Sequence, residues 1–122
     1  MRTLGIILII LAYLGASSCG GADKPPMLSY DEASTFTDLD SLAVNLETDH
    51  QEGTDDPGQY AELDELVPEA ITIFRAHPNT TLDSTDNRTT RQALSDIAGT
   101  LENTHEWGQE DAADIDRALK NP

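Results

Sequence analysis

Large apolar side chains are scarce downstream of Ser18, and nearly all of them fall in stripes of helical spacing, which leaves few ways for the chain to close a core. Of the 104 residues in 19–122, 18 are Leu, Ile, Val or Phe, about 17%, below the roughly 20% under which a highly charged chain risks disorder. The stripes are Phe36, Leu39, Leu42, Ala43 and Leu46; Tyr60, Leu63, Leu66, Val67, Ala70, Ile71 and Phe74; Leu94, Ile97, Ala98 and Leu101; and Ala112, Ile115 and Leu119. None alternates with period two, so all four segments are expected to be helical. The predicted fold is all-α, a small three- to four-helix up-down bundle with loops of about 5–12 residues.

The first helix is expected over 36–48, with Thr35 and Asp38 as a capping box. The second is expected to end near His77 before Pro78, and to kink or break at Pro68, whose ring collides with the Asp64 carbonyl. Asp86 or Ser84 is expected to cap the third, which frays beyond Asn103. The fourth is expected over 109–120, with Glu110 and Asp111 at the positive end of its dipole and Arg117 and Lys120 at the negative end.

Ahead of these segments, Met1-Arg2-Thr3 carries one positive side chain, Leu4–Ala16 is an almost unbroken apolar run, and Ala16-Ser17-Ser18 supplies small residues. That is the three-part layout of a signal peptide, and 13 residues are too few to span about 30 Å of hydrocarbon. Leu14-Gly15-Ala16-Ser17-Ser18-Cys19 resembles the lipobox of bacterial lipoproteins, with Ala16 where the family prefers Leu. The resemblance, confined to about the first 20 residues, implies cleavage before Cys19 and lipidation of its sulfur by palmitate-type acyl chains, with Gly20 favouring the outer membrane. At about 0.8 kcal/mol per buried methylene, two or three chains would hold the protein on the bilayer almost irreversibly. The alternative is ordinary cleavage after Ser18 and a secreted protein. The expected division is a signal peptide (1–18), a lipidated flexible tether (19–35) and a small α-helical domain (36–122).

The chain carries 23 Asp and Glu against 7 Lys and Arg, a net charge of −16. Without residues 1–18 the balance is −17, which disfavours nucleic acid as a partner and docking on an anionic leaflet, and no nucleic-acid partner is expected. The only membrane contact expected is the lipid anchor, with an envelope protein as partner. A lone cysteine forms no internal disulfide.

Chemistry-bearing motifs are few. Glu47-Thr48-Asp49-His50 and Glu102-Asn103-Thr104-His105 are two Glu-x-x-His spacings, which put a carboxylate and an imidazole on one helix face as in ferritin-like di-iron proteins. His105-Glu106-Trp107-Gly108-Gln109 lacks the second histidine of a zinc protease motif. A calcium loop starting at Asp83 fails at Arg88 and Leu94. Asp49, Glu52, Asp55 and Asp56 form an acidic loop, and Arg75, Arg88 and Arg91 are expected to pair with neighbouring carboxylates. Tyr60 and Trp107 are expected in the core, which needs its few large side chains.

No nucleophile elbow or phosphate-cradling loop is present. The expectation is therefore a non-enzymatic interaction or structural module with no assigned catalytic, cofactor or metal residue and Cys19 as its lipidation site. The alternatives are a metal-binding bundle using Glu47, His50, Glu102 and His105, an acidic cation-binding protein, or an acidic tail that folds only on a partner.

Overall fold

The computed structural model describes residues 26–122. The signal segment, Cys19 and the tether up to residue 25 lie outside the described residues. Four helices follow, α1 (Tyr30–Glu52), α2 (Pro57–Ala76), α3 (Thr90–Leu101) and α4 (Glu106–Lys120). Among the described residues the only β pairing is two isolated bridges, Met27 with Thr81 and Thr81 with Thr89, and no helix is long and apolar enough to cross a membrane.

The folded domain begins earlier than residue 36. Leu28 is buried in the core, its amide donates to the Thr81 carbonyl at 3.0 Å, and α1 starts six residues ahead of the expected 36. The capping box is Ser29 with Glu32, not Thr35 with Asp38: Ser29 Oγ accepts from the Glu32 amide at 3.2 Å, and Glu32 Oε1 accepts from the Ser29 amide at 3.1 Å. Those bonds hold the Glu32 carboxyl below its usual range. Ser34, Thr35 and Thr37 look like turn residues, yet their hydroxyls donate to carbonyls four residues back and stay inside the helix. At the other end Gly53 takes φ 77°, a left-handed conformation that costs glycine little.

Asp56 caps α2 through the Gly58 amide at 2.9 Å, with Pro57 in the first turn. The expected break at Pro68 does not occur, and α2 runs through it as one helix. Pro68 is exposed, so its ring takes space from no neighbouring helix, and the Asp64 carbonyl left without an amide partner is on the solvent side. The cap of α3 is Thr89, in a capping box with Gln92. Asp86 is not free for it: Asp83 Oδ1 accepts the Thr85 and Asp86 amides, and the Asp86 carboxylate accepts the Arg88 amide and guanidinium, which builds the preceding turn, while Ser84 lies in that turn, five residues ahead of Thr89. Helix α4 starts at Glu106, capped by His105, three residues before the expected 109.

Chain direction alternates as expected, with an arrangement the stripes alone do not specify. Thr35 meets Glu69 and His77 meets Glu32, so α1 and α2 are antiparallel. Arg91 donates to the Leu119 carbonyl, so α3 and α4 are antiparallel too. These hairpins pack with like-directed helices side by side: Asp40 meets Arg88 and Glu47 meets Asn103 along α1 and α3, while α2 lies on α4 and α1 does not touch α4. Fifteen of the eighteen large aliphatic and phenylalanine side chains are buried, with seven alanines filling the gaps. A sparse apolar complement closes the core because almost none of it is spent on the surface.

Arg88 ties the α2–α3 connection to both flanking helices, pairing with Asp40 and Asp86 at 2.7 Å and Asp96 at 3.0 Å. The Arg88 hydrogen bonds hold the Asp86 carboxyl below its usual range. Arg91 lies 5.1 Å from the Phe74 ring centre.

Candidate functional site

The two short connections, 53–56 and 102–105, bring the end of α1 and the beginnings of α2 and α4 to one pole. Residues 26–28 join the fold at the other pole, beside Thr81. Tyr60, one turn into α2, is buried; its hydroxyl accepts the His105 amide at 3.1 Å and donates to Asp55 Oδ1 at 3.3 Å. Burial foremost, then the Asp55 charge, push the phenol above its usual pKa, so it stays a neutral donor. Asp55 also accepts from His50 Nδ1 at 3.1 Å. His105 Nδ1 accepts the Trp107 amide at 3.2 Å, so a neutral His105 carries its proton on Nε2.

The rings form one cluster. His105 and Trp107 centroids are 3.9 Å apart, Tyr60 meets Trp107 edge-on at 5.4 Å, and His50 meets His105 at 6.1 Å with planes at 86°. Gly108 permits this approach. A β-carbon there would overlap the Thr104 hydroxyl and stand 3.2 Å from Tyr60 Cε1. Tyr60 is in the core as expected, but Trp107 is not: it is 41% exposed, because helix α4 starts at Glu106 and its first turn projects past the end of the core.

Of the two Glu-x-x-His motifs, only the imidazoles meet. Glu47 accepts from Asn103 Nδ2 at 3.0 Å, and Glu102 is exposed at the end of α3. Among the described residues no three His, Cys, Asp or Glu side chains gather as a metal site. The acidic loop is likewise engaged: Asp49 accepts from Gln59, Asp55 from Tyr60 and His50, and Asp56 caps α2.

Beside the rings, a cleft of about 250 Å³ opens between α2 and α4, lined by Pro57, Tyr60, Ala61, Asp64, Trp107 and Glu110. Asp111 lies at the same level of the α2–α4 seam and is 6% exposed. Its Oδ2 has no hydrogen-bond donor. Burial foremost, then the facing Asp64 carboxylate, push the Asp111 carboxyl up to about 8, so at neutral pH it keeps its proton and donates to Asp64. Asp111, expected with Glu110 in the first turn of the fourth helix, is instead a buried, inward group of α4. The available signal was its position four residues before Ile115, on the apolar stripe.

Charge is divided between the poles. All five Arg and Lys among the described residues, Arg75, Arg88, Arg91, Arg117 and Lys120, belong to the ends of α2 and α4, the α2–α3 connection and the beginning of α3, in the half of the fold where residues 26–28 join. The aromatic pole carries carboxylates and two histidines. No family model, curated protein or solved structure matches the chain.

Proposed function

We propose that the chain is a lipid-anchored protein of the bacterial cell envelope, held by acyl chains on Cys19 at the outer membrane, whose helical domain acts by contact with a protein partner and not by catalysis. The lipobox-like Leu14–Cys19 segment supports the anchor, and the polarity of the fold supports the contact surface. The chain joins the domain beside Thr81, and the aromatic pole stands at the far end of the 20-residue α2, about 30 Å away at 1.5 Å per residue. An anchor ahead of residue 26 therefore leaves Trp107 facing away from the membrane. The histidines favour a contact role, since Asp55 and the Trp107 amide hold one nitrogen of each ring.

Two measurements test this. Fractionation of cells expressing the full chain should find it in membranes, and the Cys19→Ala variant in the soluble fraction. A photoreactive residue in place of Trp107 should give a discrete protein adduct that the same residue in place of Tyr30, at the anchored pole, does not. A Cys19→Ala variant still in membranes overturns the anchor; adducts indifferent to position overturn the contact surface.

A further inference from the structure

We infer that the cleft between the first halves of α2 and α4 seats one cationic side chain, an arginine presented by a basic segment of the partner, between the exposed surface of Trp107 and the carboxylates of Asp64 and Glu110. This rests on the contact reading above and names the chemistry its partner must carry.

The size of the cleft sets the scale. About 250 Å³ is below the roughly 300–1,000 Å³ of small-molecule sites and suits one long side chain. Its composition sets the sign. Asp64 and Glu110 line it, Glu106 is in the first turn of α4, and Asp55 and Asp56 stand at the start of α2. The beginnings of the two helices contribute about half a positive charge each, which these carboxylates outweigh. No internal cation competes, because every described Arg and Lys belongs to the other half of the fold.

One further buried group lacks a donor. Asp111 is 6% exposed, and its Oδ2 is buried without a donor beside Asp64, whose carboxylate lines the cleft. A guanidinium brings five N–H groups in a planar fork and stacks on aromatic faces, whereas a lysine brings a strongly hydrated point charge. A divalent metal would take the two carboxylates and fill its shell with water, leaving the indole face unused.

The test uses the full chain in detergent at low salt, with capped Gly-Gly-Arg-Gly-Gly and the same peptide carrying uncharged citrulline as probes. Trp107 is the only tryptophan, so its fluorescence and the amide resonances of α2 and α4 report occupancy directly. The expected result is saturable arginine-peptide binding in the about millimolar range, at least tenfold weaker with citrulline and at least tenfold weaker in the Asp64→Asn/Glu110→Gln variant. Glu62→Gln/Glu65→Gln removes the same charge from exposed positions of α2 outside the cleft and should leave binding unchanged. Equal binding of the citrulline peptide, equal weakening by both double variants, or a calcium response at these resonances with the arginine peptide silent would each overturn the inference. A position-specific adduct at Trp107 alongside any of those results would leave the contact reading intact and dismiss the arginine.

Discussion

Replacing Asp111 by Asn should stabilise the domain, and by more as the pH rises. In the folded chain the carboxyl is pushed from its ordinary 3.8 up to about 8, so between those values the folded state holds a proton that the unfolded chain has released. The raised pKa means that this group's favourable contribution is fully present below about pH 4 and is lost as pH climbs to about 8. At pH 7 the difference of about three pH units from the unfolded value corresponds to about 4 kcal/mol at 1.36 kcal/mol per unit. Asp64 and Glu110 are exposed and screened, which reduces the working figure to about 2 kcal/mol. Asn presents an amide donor to Asp64 and does not titrate, so the variant avoids this loss. For a domain of this size about 2 kcal/mol corresponds to roughly 10 °C in Tm. Thermal and urea melts of both proteins at pH 5, 6, 7 and 8, at constant ionic strength, measure the gap directly. A gap that stays constant from pH 5 to 8, or a variant that is the less stable at pH 8, would refute a protonated Asp111 buried against Asp64.

Three other substitutions probe how the pole and its support are built. Gly108→Ala should cost about 1–3 kcal/mol in urea unfolding, because its methyl must displace the buried Thr104 and press on Tyr60; an unchanged midpoint would mean that α4 does not pack this closely. Tyr60→Phe should cost about 1 kcal/mol and shift the Trp107 emission, since the hydroxyl joins the His105 amide to Asp55; calorimetry and fluorescence check both. Arg88→Met should destabilise by about 1–2 kcal/mol, more at low salt, by leaving Asp40, Asp86 and Asp96 without their common cation; a salt-independent loss would point to packing instead.

The helices were legible because each apolar stripe is local: Phe36 to Leu46 and Leu94 to Leu101 fix both the elements and the faces they bury. Their beginnings were harder to read, for an identifiable reason. Thr35, Asp86 and Gln109 are plausible starting points taken singly, but the caps in use are Ser29 with Glu32, Thr89 with Gln92, and His105. The competing groups are engaged elsewhere: Thr35 bonds within α1, Asp86 within the 83–88 turn, and Gln109 donates to the Thr104 carbonyl. Asp111 was misread because its charge outweighed its place on the stripe. The meeting of His50 with His105 depends on α1 lying beside α3, which no single stripe encodes, and the same arrangement turns Glu47 to Asn103 and away from a metal quartet.

The side-by-side packing of like-directed helices also bears on what the acidity is for. If the net charge served solubility alone, the five described cations could be scattered among the carboxylates, where they would lower the repulsion in the fold. They are instead confined to one half of the molecule, where Arg75, Arg117 and Lys120 stand near the carbonyl ends of α2 and α4, Arg91 donates to the Leu119 carbonyl, and Arg88 pairs with Asp40, Asp86 and Asp96 around the α2–α3 connection. Stability in that half comes in part from ion pairs. In the other it comes from ring packing, one phenol, and a carboxyl kept neutral by burial. The second solution leaves an uncompensated negative field beside an exposed indole, at the end of the molecule farthest from any anchor ahead of residue 26. A partner approaching from there meets a surface whose missing component is positive charge, and this gives the acidity a direction as well as a sign.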